Sequence, residues 1–203
     1  MHQLNLFSTP VWFYNVPNFV ELNYQLTISA KKNEIDLDYF HIDNDGVREL
    51  KSIVVDFVRK ALREYYPNVS GFEIKISGRQ NFLPPLACDT IHHHLDYNLV
   101  CVYYLKVPKK SGDLLLLDPR GSVLWDDPNI CTTQAGKSDI DIACEQGRVT
   151  PKLFRPFHRI RPLEGSMVLH PGYLNHQVET NLSDEDRISI VMDIKIYYRF
   201  SVS

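Results

Sequence analysis

The sequence predicts a mainly β fold, a sandwich or barrel with two helices packed on one outer face. Three observations support this prediction: apolar residues recur at helical spacing before Pro67, they alternate in short segments after it, and turn residues separate those segments. The chain has 203 residues, 44% of them hydrophobic, so it can bury a core without disulfides or a structural metal. We expect one domain over residues 1–203, with a helical part over 1–67 and a β core over 68–203.

The two helices are predicted from apolar residues that fall three and four positions apart. One helix covers Phe19–Ala30 and the other covers Val47–Tyr65. Gly46 lies directly before the second segment and Pro67 lies just after it. Both residue types are common just outside the ends of helices, so they support these boundaries.

Nine short strands are predicted beyond Pro67, where the apolar period changes to two. Turn-forming sequences such as Pro84-Pro85 and Lys110-Ser111-Gly112 separate them. Helices followed by a run of strands favour β layers with the helices on one side. The predicted strands are Phe72–Ser77, Arg79–Leu83, Thr90–His94, Leu99–Val107, Asp113–Asp118, Arg159–Arg161, Ser166–His170, Gln177–Glu179 and Arg187–Ile196.

The last predicted strand, Arg187–Ile196, alternates most clearly. Its even-numbered positions are apolar and are expected to pack against the helices, whereas Arg187 and Ser189 point to the other side, into the interior. A guanidinium there is costly unless an anion meets it, and its planar shape suits a carboxylate. The alternative is a surface arginine that pairs with Asp184 or Asp186.

The sequence has eight histidines, and three of them are consecutive, at His92-His93-His94. Residues two apart on a strand share a face, so His92 with His94, or His94 with Asp96, could hold one metal ion. His176, from a distant strand, would complete three ligands and leave open positions, as in non-haem Fe(II) oxygenases. The alternative is that these histidines are exposed or core residues without a metal.

The segment 121–156 fits neither the helical nor the strand pattern. A loop of this length is either a functional lid or a surface segment without regular structure. Its first part is acidic and its second part is basic, with Arg148, Lys152 and Arg155. The basic end favours a substrate or partner that carries negative charge.

Composition excludes several broad classes of protein. A net charge of −3 and a pI near 6.2 argue against general nucleic-acid binding. No apolar run is long enough for a membrane span, and the first residues lack the features of a signal peptide. The four cysteines form no CxxC pair, which favours reduced thiols and a cytoplasmic location. The sequence does not identify the substrate or the oligomeric state.

Several motifs occur in an order that is shared with one known family. The broad pattern is His-x-Asp or His-x-His at 92–96, then His176, then Arg187-x-Ser189. Further motifs are LFSTPVW at 6–12, Asn81 eleven residues before His92, VYYLKVP at 102–108, SGD at 111–113, DPRG at 118–121 and the block 162–189. The sequence thereby resembles the 2-oxoglutarate- and Fe(II)-dependent dioxygenases. A narrower resemblance is to oxygenases of marine bacteria and phages; it covers nearly the whole chain and is weakest over 121–156.

The resemblance implies a double-stranded β-helix, a jelly-roll or cupin-like fold, and an enzyme that uses Fe(II), 2-oxoglutarate and O2. It implies His176 as the distal iron ligand and His94 as a ligand in either alignment. The narrower family pairs His92 with His94, whereas the broader pattern pairs His94 with Asp96. It further implies that Arg187 binds the C5 carboxylate of 2-oxoglutarate, with Ser189, Tyr104 and Asn81 beside it.

The sequence departs from the family at Arg79 and Cys101, where Trp and Gly are typical, and no Gly precedes the first ligand. Two other functions stay open. A cupin-like metal enzyme that uses O2 without 2-oxoglutarate would suit a three-histidine set, and a binding protein without catalysis could have the same fold. An interior Arg187 favours the 2-oxoglutarate enzyme over the first alternative, and metal content distinguishes it from the second.

Overall fold

A computed structural model describes residues 8–28, 38–65, 71–120 and 157–198. The predicted lid at 121–156 and the predicted boundary at residue 67 lie outside these residues. In chain order the described elements are β1 (Trp12–Asn15), α1 (Phe19–Ile28), a 3-10 helix (Tyr39–His41), α2 (Asp45–Tyr65), β2 (Phe72–Leu83), β3 (Asp89–His92), β4 (Leu99–Lys106), β5 (Leu114–Leu117), β6 (Phe157–Ile160), β7 (Ser166–Pro171), β8 (His176–Val178) and β9 (Arg187–Tyr198).

The strands form two antiparallel sheets that pack face to face. The larger sheet has the order β1-β7-β4-β9-β2, and the smaller has the order β3-β8-β5-β6. Apolar side chains from both sheets meet between them in one buried cluster. This is the double-stranded β-helix that the family resemblance implies. The cluster consists of Val100, Val102, Tyr104, Leu114, Leu116, Ile160, Val168, Leu174 and Val191.

The two α-helices cover the outer face of the larger sheet. Leu26 of α1, and Leu50 and Val54 of α2, are fully buried in a second cluster against that face. Strand β4 serves both clusters because successive side chains point to opposite sides of a strand: its odd positions face the helices and its even positions face the smaller sheet. The even positions of β9 pack against the helices, which confirms the sequence prediction; they are Ile188, Ile190, Met192, Ile194 and Ile196.

The prediction of two separate strands over Phe72–Ser77 and Arg79–Leu83 is wrong, because β2 runs unbroken through Gly78 and pairs with β9 along its whole length. The Gly78 amide donates to Asp38 Oδ1 at 2.8 Å. A Cβ atom at Gly78 would lie 2.8 Å from the Phe40 ring. The glycine therefore marks a close approach of the 3-10 helix to the strand, and not a turn.

The other predicted elements exist with ends that differ by one or two residues. Strand β3, for example, is Asp89–His92 where Thr90–His94 is predicted, so His94 lies beyond its end. Strand β1 and the 3-10 helix are not predicted, because each is too short to show a period in the sequence. No helix in the described part of the chain is both long and apolar enough to cross a membrane.

Candidate metal centre and carboxylate pocket

Three histidines meet where β3 and β8 pair. His92, the last residue of β3, lies directly opposite His176, the first residue of β8. His94 follows in the next turn, and its amide donates to the Gly172 carbonyl at 2.8 Å. One ring nitrogen from each histidine lies within 4.8 Å of the other two. The structure therefore brings His92 and His94, a pair that the sequence predicts, together with His176.

The hydrogen bonds of the three rings fix which nitrogen is free. Carbonyl and carboxylate oxygens only accept, so each Nδ1 carries a proton, and Nε2 is the nitrogen that can offer a lone pair to a metal. Metal-binding histidines typically have this arrangement, with the second nitrogen held by an oxygen. The bonds run from His92 Nδ1 to the Thr90 carbonyl (2.7 Å), from His176 Nδ1 to the Leu174 carbonyl (2.9 Å) and from His94 Nδ1 to Asp193 Oδ1 (2.5 Å).

The chemistry of this donor set suits a divalent transition metal such as Fe(II). The Nε2 atom of His94 is buried and has no hydrogen-bond partner among the described residues. Burial, aided by the neighbouring His170, lowers the pKa of His176 to about 3, so its ring is neutral at pH 7. Neutral imidazole nitrogens bind iron, zinc and copper, and an unpaired buried nitrogen is costly without such a partner.

Asp96, the other sequence candidate, lies outside this group. It is exposed in the turn that joins β3 to β4, where the Tyr97 amide donates to the His94 carbonyl at 3.0 Å. His93 is also exposed. The set that the structure brings together contains three imidazoles and no carboxylate.

Gly172 allows the turn that carries His94 to approach the loop before His176. A Cβ atom at Gly172 would lie 2.2 Å from the Tyr97 carbonyl oxygen and 2.6 Å from that of His94. Both atoms belong to the backbone, which cannot rotate away as a side chain can. Only glycine fits this close contact, and the contact holds His94 near His176.

A cavity of about 330 Å³ joins the three histidines to the polar face of β9. Its walls include all four residues that the resemblance implies for 2-oxoglutarate. They lie on adjacent strands of the larger sheet, because Ser189 of β9 is the register partner of Asn81 in β2 and of Tyr104 in β4. The four residues are Arg187, Ser189, Tyr104 and Asn81.

Arg187 is a buried cation without a carboxylate partner among the described residues. Its side chain belongs to a residue that is only 3% exposed, and Nη1 donates to the Gly112 carbonyl at 3.0 Å. Its guanidinium carbon lies 5.2 Å from the centre of the Tyr104 ring. The Tyr104 hydroxyl is buried and unpartnered within the described residues, and burial raises its pKa to about 12. A guanidinium with donors left over after its bond to Gly112, beside a hydroxyl without a partner among the described residues, is suited to bind a carboxylate.

Asn81 and Ser189 complete the polar wall of the cavity. Asn81 Nδ2 donates to Asp89 Oδ2 at 2.9 Å, and Ser189 is buried between its two register partners. The surface pairing of Arg187 with Asp184 or Asp186, considered above, is not what the structure shows, because Arg187 is directed inward to Gly112.

Comparison with known families supports the family resemblance noted in the sequence. The family model described as "Putative 2OG-Fe(II) oxygenase" matches residues 80–193, more than half of the chain. The match begins in β2 and ends in β9, so it includes all three histidines and Arg187. The chain belongs to the 2OG-Fe(II) oxygenase family. The family implies Fe(II) and 2-oxoglutarate as its metal and co-substrate, and the cavity described above contains residues suited to each.

Solved structures share the fold of this oxygenase at low sequence identity. A prolyl-4-hydroxylase from Pseudomonas putida aligns with a TM-score of 0.56 and 14% identity over 95% of this chain and 90% of its own. EvdO2 from Micromonospora carbonacea var. aurantiaca, complexed with 2-oxoglutarate, aligns with a TM-score of 0.51 and 18% identity over 95% and 89%. These likenesses concern the double-stranded β-helix alone. No curated protein matches the chain.

The chain spans a smaller share of another relative. It covers 60% of an oxidoreductase of the 2OG-Fe(II) oxygenase family from Burkholderia pseudomallei, with 14% identity over 76% of this chain and a TM-score of 0.48. The marine or phage source suggested by the narrower sequence resemblance stays a prediction.

Sequence reasoning missed two residues that contact the histidine cluster. Asp193 accepts from His94, and it also accepts from Arg79 Nη1 at 2.8 Å. Burial raises the pKa of Asp193, but the hydrogen bonds and charges of His94 and Arg79 outweigh burial, so its pKa lies below the usual value. The signal was present, because Asp193 lies on the same face of β9 as Arg187 and Ser189.

His170 is the second residue that sequence reasoning missed. It is fully buried in β7, and its ring centre lies 4.8 Å from that of His176. Its Nδ1 donates to the Pro171 carbonyl at 3.0 Å, and burial lowers its pKa to about 4. His170 therefore packs as a neutral ring against His176. The sequence pattern around His170 is that of an ordinary core position, so it could not indicate this contact.

Proposed function

We propose that this oxygenase binds Fe(II) through the Nε2 atoms of His92, His94 and His176, and couples decarboxylation of 2-oxoglutarate to oxidation of a second substrate by O2. One observation carries the proposal: three clustered histidines and a buried guanidinium without a carboxylate partner among the described residues line the same cavity. Fe(II) together with 2-oxoglutarate supplies the oxidising chemistry, in which 2-oxoglutarate is converted to succinate and CO2.

The protein's own residues bind and orient the reactants. The Arg187 guanidinium binds the C5 carboxylate of 2-oxoglutarate, and the Tyr104 hydroxyl donates a second hydrogen bond to it. Ser189 and Asn81 form the wall beside it. Apolar neighbours such as Val102 and Val191 exclude water from this end of the cavity, which strengthens the charge-assisted bonds.

Arg187 also favours this function over a cupin-like metal enzyme that uses O2 without 2-oxoglutarate. The three-histidine set alone suits either enzyme. Desolvating an interior guanidinium costs on the order of several kcal/mol. An enzyme without a carboxylate co-substrate has no need of such a group.

The substrate is unidentified, and we propose that it carries negative charge. The support is the basic stretch with Arg148, Lys152 and Arg155, all outside the described residues. We further propose a cytoplasmic location, supported by free thiols at exposed Cys88 and buried Cys101. General nucleic-acid binding is not expected at a net charge of −3.

Anaerobic titration with Fe(II) and 2-oxoglutarate tests the proposed function. We expect the weak visible charge-transfer band of the Fe(II)–2-oxoglutarate chelate, and slow succinate formation once O2 is admitted without substrate. A band that needs no 2-oxoglutarate, or O2 consumption without succinate, would support the cupin-like alternative. The absence of both signals would support a binding protein without catalysis.

Alanine variants test the proposed ligand set. His92→Ala should lose Fe(II) affinity, whereas Asp96→Ala should keep it, because only His92 contributes a nitrogen to the cluster. His93→Ala is the matched control, since His93 is an exposed neighbour in the same triplet. Loss of affinity in Asp96→Ala with retention in His92→Ala would reverse the assignment, and tolerance of both changes would overturn it.

A further inference from the structure

We propose that Asp193, braced by Arg79, is a positioning residue that fixes His94 for metal binding and supplies the negative charge that the three-histidine set lacks. The inference rests on the proposed function, because it assigns His94 as a ligand. It extends that function to two residues that do not touch the metal themselves.

The contacts form a continuous chain from the cavity wall to the cluster. Arg79 Nη1 donates to Asp193 Oδ2 at 2.8 Å, and His94 Nδ1 donates to Asp193 Oδ1 at 2.5 Å. The two carboxylate oxygens are therefore both used, one on each partner. The bond to His94 leaves only Nε2 to face His92 and His176, and it restrains rotation of the ring.

Asp193 is well placed to hold His94 rigidly. It lies in the middle of β9, which pairs with β2 on one side and β4 on the other, and its register partners are Ser77 and Val100. Its side chain is 12% exposed and that of His94 is 7% exposed, so their hydrogen bond is largely shielded from water. His94 itself lies beyond the end of β3, and the sheet does not fix its side chain. The hydrogen bond from a strand that is paired on both sides holds the His94 ring in place.

Asp193 has a second effect, because the three histidines carry no negative charge of their own. Iron sites with two histidines and one carboxylate carry one negative charge on the ligands, whereas three neutral imidazoles carry none. A carboxylate that accepts from the far nitrogen of a ligating imidazole makes the ring a stronger donor. Asp193 therefore supplies its negative charge through the His94 ring. A ligating Asp96 would have supplied that charge directly to the metal.

Arg79 explains how a buried carboxylate persists beside the cluster. Its side chain is half exposed and lines the same cavity as the histidines. It occupies the position where the sequence departs from the family's typical Trp. The guanidinium partly neutralises Asp193 and holds its carboxylate plane, so that Oδ1 points to His94.

Co(II) binding to the intact protein tests the proposal. We expect Asp193→Ala to weaken Co(II) affinity about 10- to 100-fold, the usual range for loss of such a partner. Asp193→Asn keeps an oxygen acceptor for His94 but not the charge, so its affinity should fall between wild type and Asp193→Ala. Arg79→Gln should give a smaller loss. Asp184→Ala, an exposed carboxylate before the same strand, is the matched control.

A second measurement separates positioning from a general structural effect. In the Co(II) protein, the Nδ1 protons of the three ligands should give three shifted proton signals that disappear in D2O. Asp193→Ala should displace or abolish one of them and leave two in place, with the circular dichroism of the apoprotein unchanged. Arg79→Gln, a change at a half-exposed side chain, provides the same test should Asp193→Ala fail to fold.

The outcomes distinguish this inference from the proposed function. If His94→Ala binds Co(II) as tightly as wild type, the ligand set itself is wrong. If His94→Ala loses affinity but Asp193→Ala and Arg79→Gln keep both the affinity and all three signals, only the positioning role is overturned. Wild-type affinity in Asp193→Asn would overturn the contribution of charge.

Discussion

At the scale of single residues, Arg187 is the side chain whose environment most restricts the function. Desolvating a guanidinium costs on the order of several kcal/mol, and a well-placed anion offsets this cost. The Gly112 carbonyl satisfies one of its five N–H groups, and Tyr104 offers a ring face and a free hydroxyl. The remaining donors are available for an anion that enters the cavity.

Replacing this guanidinium should therefore affect the co-substrate more than the metal. We expect Arg187→Met to raise the KM for 2-oxoglutarate about 10- to 100-fold, the equivalent of one charge-assisted hydrogen-bonded contact. Initial-rate measurement of succinate formation provides the KM, and Co(II) affinity should stay unchanged. Arg63→Met, at an exposed position of α2, is the control. An unchanged KM in Arg187→Met would remove this residue from the co-substrate site.

The two described cysteines should differ in reactivity. Cys101 is fully buried in β4, and burial raises the pKa of its thiol well above the usual value, whereas Cys88 is exposed. Only the thiolate is nucleophilic, so iodoacetamide at pH 8 should label Cys88 in the folded protein and Cys101 only after denaturation. Peptide mapping by mass spectrometry measures each site. Labelling of Cys101 at the same rate as Cys88 would show that this face of β4 opens to solvent.

At the scale of elements, alternation in β9 and β4 explains both the core and the site. One face of β9 is apolar and packs against the helices. The other face presents Arg187 and Ser189 to the cavity and Asp193 to His94. The sequence could predict this division, since a period of two separates the faces. It could not predict that β2 continues through Gly78, because a glycine that permits close packing is indistinguishable in sequence from one in a turn.

The turn around Gly172 offers a test at this scale. We expect Gly172→Ala to weaken metal binding, because the new Cβ would collide with two backbone oxygens and push the His94 turn away. The collision should also cost at least about 1–3 kcal/mol of the free energy of unfolding, the range for overpacking. Co(II) titration and urea denaturation measure the two effects. Gly71→Ala is the control, since its Cβ would meet nothing within 4 Å.

At the scale of the whole molecule, the site lies between the two sheets. His92 and His176 belong to the smaller sheet, whereas Asp193 and Arg187 belong to the larger one. The sequence indicated the residue types for such a site and the strands that carry most of them. The alternation of β9 could place Asp193 on the same face as Arg187 and Ser189, but it could not show that this carboxylate reaches His94. Asp96 is near the histidines in sequence, whereas Asp193 is near them only after β9 has paired with β4.

A metal that binds the folded cluster should stabilise the whole fold. At 100 times its dissociation constant, Co(II) should add about 2.7 kcal/mol, which corresponds to a rise in Tm of about 5–10 °C for a chain of this size. EDTA should reverse the rise. Scanning calorimetry measures it, and His176→Ala should show little or no shift. An equal shift in His176→Ala would place the metal elsewhere in the molecule.

The most direct test is a crystal structure of the protein with Fe(II) and 2-oxoglutarate, grown without oxygen and measured at the iron absorption edge. We predict an anomalous peak within bonding distance of the Nε2 atoms of His92, His94 and His176, and the C5 carboxylate of 2-oxoglutarate on Arg187 and Tyr104. An iron bound by Asp96 in place of His92, or a co-substrate carboxylate away from Arg187, would contradict the proposed site.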